Sequence, residues 1–218
     1  MPNRYELIVF DWDGTLIDSA SAITTSIQLA AGDLGLPVPT VERARHVIGL
    51  GLRDALMRAI PDVAPHDYDH LAARFRHHFI ARDHEMPLFD GVRELLVDLK
   101  QRGHQLAIAT GKSSQGLARA LQAAELNGLF AATRCADQTV PKPDPAMLNE
   151  LLAQFGVNED NALMIGDTAH DLMMASAAGV AAIGVTYGAH ALDALQQCRS
   201  LALLNSVDDL ARWLGTNG

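Results

Sequence analysis

The sequence predicts an α/β protein: a doubly wound parallel sheet with an all-helical segment inserted between its first two strands. Three observations carry this. Apolar runs too short for buried helices recur along the chain, at Leu7–Phe10, Gln105–Ala109, Ala162–Ile165 and Val180–Val185. Each is followed by a stretch with helical spacing, and alternating strands and helices joined by short links form parallel sheets. Between the first and second runs lies far more chain than the roughly 30 residues of a crossover unit, and the excess reads as helical.

Leu7-Ile8-Val9-Phe10 has two β-branched residues and an aromatic, which favours a strand buried on both faces. The run ends in Asp11-Trp12-Asp13-Gly14-Thr15. Ile23, Ile27, Ala30 and Leu34 then mark one face of a helix that ends near Gly35. Pro37-Val38-Pro39-Thr40 is a loop. Short helices follow over Val41–Val47 and Leu52–Ile60, and a longer one over Asp67–Arg82, with Leu71, Phe75 and Phe79 facing inward. Val92, Leu95, Leu96 and Leu99 keep helical spacing until Gly103. After the strand at Gln105–Ala109, the pattern gives a helix over Ser113–Leu126, a strand over Phe130–Cys135 and a helix through Leu148, Leu151, Leu152 and Phe155. Strand Ala162–Ile165, helix Asp171–Ala178, strand Val180–Val185, helix Leu192–Cys198, strand Leu201–Leu204 and helix Val207–Leu214 complete the chain. The expected division is an α/β core of residues 1–17 and 88–218 and a helical insert of residues 18–87, with Pro87 as the return hinge.

Composition narrows the function. The 218 residues allow a core plus a small insert, and 49% hydrophobic residues suffice to pack it. A net charge of −9 argues against nucleic acid as the main partner. Cys135 and Cys198 have no metal or redox spacing, and the N-terminus runs straight into the first strand, which leaves no room for a signal peptide. The expected location is therefore the cytoplasm. The stretch Leu172–Val185, broken by Ser176 and glycines, falls short of the roughly 20 residues that span a membrane. Either a monomer or a homodimer fits.

In an open parallel sheet, chemistry sits beyond the carboxyl ends of the strands. Asp11 stands there, and two further extended residues would turn Asp13 the same way, with Gly14 permitting the turn. Thr110 ends the second strand in AIATGKSS, and the amides of Gly111 and Lys112, opening the next helix, suit an anion. Gly111-Lys112-Ser113 is not the end of a P-loop, because Leu106 stands where that motif needs glycine. Lys142 is framed by Pro141, Pro143 and Pro145, which stiffen the backbone around one ammonium. Gly166-Asp167-Thr168-Ala169-His170-Asp171 ends another apolar strand in acids, with Asp171 one helical turn beyond Asp167. At about 4 Å and an effective dielectric of about 20, each like-charged pair costs roughly 4 kcal/mol, so these carboxylates need a cation. All-oxygen ligands select a hard ion, and Mg²⁺ keeps waters that a phosphate oxygen can replace.

DWDGTLIDS resembles the first signature of the haloacid dehalogenase-like hydrolases, a superfamily composed mainly of phosphatases. Thr110, Lys142 and the GDTxxD run match its remaining motifs in order. The resemblance spans the whole α/β core. CADQTVPKPDPAML and GVTYGAH are similar to stretches of the branch that contains phosphoglycolate phosphatase. What the resemblance implies is a Rossmann-like core with a helical cap closing over the site, and a Mg²⁺-dependent phosphatase acting on a small phosphorylated metabolite. It implies that Asp11 is the nucleophile and Asp13 the general acid and base. Thr110, Gly111 and Lys142 would hold the phosphoryl group. The metal would sit on Asp11, the backbone carbonyl of Asp13, and Asp167, with Asp171 ligating or just behind.

Other activities of the superfamily fit less well. Dehalogenases lack the second acid, here Asp13, and phosphonate hydrolases need a cap lysine, which residues 18–88 do not contain. Hexose phosphate mutases carry a cap histidine about where Ile23 stands and usually a hydrophobic residue at Thr15. A phospholigand sensor without turnover is the alternative outside enzymes, though every catalytic side chain is present. His66 and His70 lie one turn apart, with His77, His78 and His84 nearby. No cysteine joins them, so solvated helix faces are expected rather than zinc. Gly49-Leu50-Gly51 is too little for a dinucleotide fingerprint but can bring backbone close to a ligand. Arg43, Arg45 and Arg53 flank that turn, and Arg53, opening the next helix, is the residue expected to meet an anionic substrate.

Overall fold

A computed structural model of the protein describes residues 4–82 and 86–218. His84 lies outside the described residues. Among the rest, a single parallel sheet contains β1 (Leu7–Phe10), β2 (Gln105–Thr110), β3 (Ala132–Cys135), β4 (Ala162–Gly166), β5 (Ala181–Val185) and β6 (Ala202–Leu204), in the order β3-β2-β1-β4-β5-β6. The helices are α1 (Ala20–Asp33), α2 (Val41–His46), α3 (Leu52–Ala59), α4 (Tyr68–Ile80), α5 (Val92–Gln101), α6 (Ser114–Ala123), α7 (Ala146–Phe155), α8 (Ala169–Ala177), α9 (Leu192–Gln196) and α10 (Val207–Asn217). The expected elements are present, with small shifts at their ends. The shift at α6 has a local cause: Glu125 takes a left-handed conformation (φ 54°), so the helix stops before Leu126.

β1 is the centre of the sheet. Its residues alternate, so Ile8 and Phe10 enter one apolar layer and Leu7 and Val9 the other. The first layer packs under α5 and α10 through Leu96, Leu99, Leu210 and Leu214, the second under α7 and α8 through Leu148, Leu151 and Leu172. Phe10 aligns with Ile108 on β2 and Ile165 on β4, so the residues after these three strands emerge side by side. The order reverses direction beside β1, which is where a doubly wound sheet opens its crevice.

Helices α1 to α4 surround an apolar cluster of their own, including Ile27, Leu56, Ile60 and Leu71. Asp33 on α1 accepts from Arg74 Nε (2.6 Å) and His78 Nε2 (2.7 Å) on α4, so His78 is not on the solvated face the sequence suggested. Where the chain crosses between insert and sheet, the two segments pair: Asp18 N donates to Pro87 O at 2.9 Å, and Ile17 bridges Leu88. No helix among the described residues is long and apolar enough to cross a membrane.

Candidate active site

Asp11 follows β1 directly, and its amide continues the ladder by donating to Ile165 O at 2.9 Å. Trp12 turns into the apolar layer, and Gly14, at φ 81°, reverses the chain so that its amide donates to Ile17 O. Glycine is required there by space as well as by dihedral. A Cβ at Gly14 would lie 2.1 Å from Asp167 Oδ2, and one at Gly188 would lie 2.3 Å from the same oxygen.

Two glycines thus wall Asp167, and two donors fix it: Thr15 Oγ1 at 2.9 Å on Oδ1 and the Ala189 amide at 2.7 Å on Oδ2. Asp171 is set by a capping box at the start of α8. Its Oδ2 accepts from the Thr168 amide (3.0 Å) and hydroxyl (2.7 Å), and its own amide returns a bond to Thr168 Oγ1. That leaves Asp171 Oδ1 facing Lys142 Nζ at 2.6 Å, while Asp11 Oδ1 lies 2.7 Å from the same nitrogen. Lys142 is 1% exposed. The proline-framed loop therefore delivers one buried ammonium between two buried carboxylates.

Asp11, Asp167 and Asp171 each offer an oxygen within 4.8 Å of the others, the only such metal-competent group among the described residues. Asp11 Oδ2 is buried with no hydrogen-bond partner. Burial holds the Asp11 carboxyl well above the usual carboxylate range. Lys142 works against that, and Asp171 and Asp167 add to it. Burial, then Asp171, push Asp167 up to about 7. Burial alone would lower the Lys142 ammonium, but Asp11 and Asp171 more than offset it and raise it above its ordinary value. One ammonium cannot neutralise three carboxylates. The donor set is all oxygen, pre-positioned and short of positive charge, which fits a hard divalent cation.

Asp13 is not in that group. Its Oδ1 accepts from Ser19 Oγ at 2.8 Å and from Lys112 Nζ at 2.9 Å, while its residue shares one cavity with Asp11. Thr110 is fully buried at the end of β2, and its Oγ1 accepts from the Lys112 amide at 3.2 Å. This departs from expectation, because that amide is partnered and α6 begins later, capped by Ser113. Gly111 lies directly under the insert: a Cβ there would be 2.4 Å from Leu50 O and 2.6 Å from Gly49 O. Arg53 lines the same cavity, but it is exposed and its guanidinium lies 4.3 Å above the Tyr68 ring.

Several participants had no signal of their own in the sequence. Lys112 was read only for its amide. Thr15 is marked in the sequence only as a departure from the mutases, Ser19 only as the end of the first signature, and Gly188 and Ala189 only as part of a similar stretch. Three histidines form the junction between insert and core: His46 O accepts from His170 Nε2 (3.1 Å) and His190 Nε2 (3.0 Å). His190 Nδ1 accepts from the Ala169 amide, so its proton sits on Nε2, and burial followed by His170 lowers it to about 4. Arg45 adds bonds to Gly188 O and Ala189 O. The C-terminal end of α2 is thereby seated on the loops that build the acidic site.

Comparison with known proteins agrees with the fold. The sequence profile of the haloacid dehalogenase-like hydrolases matches residues 8–185. A phosphoglycolate phosphatase of Aliivibrio fischeri is 35% identical, over 84% of this chain and 85% of its own. A 5'-nucleotidase of Pseudomonas aeruginosa is 35% identical, over 94% of this chain and 96% of its own. The crystal structure of a predicted phosphoglycolate phosphatase from Haemophilus somnus superposes with a TM-score of 0.88 at 26% identity, covering 97% of this chain and 99% of that one. With the profile covering most of the chain and the acids, lysine and threonine gathered at one sheet edge, this protein belongs to the haloacid dehalogenase-like hydrolases.

Proposed function

We propose that this phosphoric monoester hydrolase cleaves a small phosphorylated metabolite with Mg²⁺, through a phosphoryl group carried on Asp11. The observation that carries the reading is the buried group of Asp11, Asp167 and Asp171 around a single Lys142 ammonium. The cation would be held by those three side chains and the Asp13 carbonyl, and it would supply positive charge for the phosphate oxygens. Thr110, Gly111 and Lys142 would orient the phosphoryl group.

In the first step an Asp11 oxygen attacks phosphorus, the ester P–O bond breaks, and the leaving oxygen takes a proton from Asp13. In the second, Asp13 takes a proton from water, the water oxygen attacks phosphorus, and the bond to Asp11 breaks. Both resting contacts to Asp13 fall on Oδ1, which leaves Oδ2 for the proton. Ile23 on the cavity wall, where a mutase would need histidine, supports transfer to water rather than to a second sugar hydroxyl. Residues 18–87 act as the cap, and the seated end of α2 supports a lid that excludes bulk water. Arg53 lines the cavity and would meet an anionic leaving group only by leaving the Tyr68 ring. Two free cysteines are compatible with a reducing cytoplasm.

The decisive assay is hydrolysis of p-nitrophenyl phosphate with and without metal. EDTA should abolish turnover and Mg²⁺ restore it, and Mg²⁺ should raise Tm by binding only the native state. Full activity in excess chelator would refute the reading, and metal binding without turnover would favour a phospholigand sensor. Asp13→Asn should lower kcat/KM, which reads only the first step, by about 10²–10⁴-fold on alkyl phosphates. The loss should be much smaller on p-nitrophenyl phosphate, whose leaving group needs little protonation, and equal losses on both would remove Asp13 as the acid.

A further inference from the structure

We propose, on the reading that the protein is a phosphatase, that its substrate is a phosphomonoester whose alcohol carries an aromatic ring. One cavity of about 650 Å³ runs from Asp11 and Asp13 into the helical insert. That is within the roughly 300–1,000 Å³ of sites that enclose drug-sized ligands. Phosphoglycolate, whose leaving group is a two-carbon acid, would leave most of this space without contacts.

The insert side of the cavity is mostly apolar, with Ile27, Val47, Leu50, Leu56, Phe75 and Phe79 from α1, α3, α4 and the turn after α2 standing beside the charged Arg53, Asp54 and Arg76. Phe75 and Phe79 lie one helical turn apart with rings stacked at 5.5 Å and 11°. The aromatic wall begins beside the chemistry: Lys112 Nζ, which holds Asp13, also sits 4.5 Å from the Phe79 ring. A carboxylated leaving group would have to be met by one of the cations lining the cavity, each of which is either already engaged or exposed to solvent. Lys112 is engaged by Asp13, Arg53 rests on Tyr68, and Arg76 and Arg119 are exposed. A flat ring could instead pack against the Phe75–Phe79 pair while its phosphate reaches Asp11.

The test compares kcat/KM with Mg²⁺ for 2-phenylethyl phosphate, ethyl phosphate and phosphoglycolate, whose leaving groups are all primary alcohols. The phenylethyl ester should exceed each of the others by about tenfold or more, the discrimination an apolar site gives for a group that fills it. Phe79→Ala should shrink the phenylethyl-to-ethyl ratio by roughly threefold to tenfold. Phe75→Leu, which keeps most of the apolar volume, should shrink it in the same direction. Equal values for the esters, or a preference for phosphoglycolate, would overturn the proposal and leave the phosphatase reading standing. If neither these esters nor p-nitrophenyl phosphate is hydrolysed, the phosphatase reading falls, and calorimetry with 2-phenylethylphosphonate and ethylphosphonate still decides the cavity. Binding about tenfold tighter for the phenyl compound supports the aromatic assignment, and equal affinity overturns it.

Discussion

Asp11→Asn should cut turnover of any phosphomonoester by about 10⁴-fold or more, the scale on which removing a nucleophile acts, without unfolding the protein. The amide keeps the shape of the carboxylate but cannot attack phosphorus. Stability should move the other way. Asp11 is fully buried beside Asp167 and Asp171, and burial already opposes its charge. Neutralising it does not orphan Lys142, which keeps Asp171 at 2.6 Å. The metal-free variant should therefore melt no lower than the wild type, and Mg²⁺ should stabilise it less, since one anionic ligand is gone. Steady-state kinetics and melting curves with and without Mg²⁺ test both halves. A folded variant that retains a tenth of wild-type kcat would end the assignment of Asp11 as the attacking group.

Lys142→Met should have the largest effect on stability. The ammonium is buried between Asp11 and Asp171, and it holds the charge of the cluster together when no cation is bound. Breaking a buried pair by removing one partner typically costs about 3–5 kcal/mol, because the remaining charges are left buried and uncompensated. Methionine has nearly the same length, so the loss reports charge rather than packing. Urea unfolding of metal-free protein measures it, and Mg²⁺ should recover part of the loss by supplying the missing positive charge. A cost below about 1 kcal/mol, the range of an exposed pair, would mean that Lys142 does not hold the cluster. Activity should fall as well, since the ammonium lies against Asp11 and would face the phosphoryl oxygens there.

Much of this molecule was legible in the residues alone, and for local reasons. A run such as Leu7–Phe10 favours a strand buried on both faces, and acids that follow such a strand emerge at the sheet edge. Asp11, Thr110, Lys142, Asp167 and Asp171 could each be assigned a place from their own neighbours, and the sheet brings them together. The helical insert was visible because amphipathic spacing needs no knowledge of distant contacts. What only the tertiary structure decided are the partners. Lys112 meets Asp13, Thr15 and Ala189 fix Asp167, and Arg45 and His46 seat the insert on the loop at Gly188–His190. Gly14 and Gly188 are required because a Cβ at either would overlap the Asp167 side chain. These pairs join segments far apart in the chain, and no local pattern encodes them. They exist because the order β3-β2-β1-β4-β5-β6 brings the ends of β1, β2, β4 and β5 to one edge, where each side chain is held by whichever donor the neighbouring loop presents.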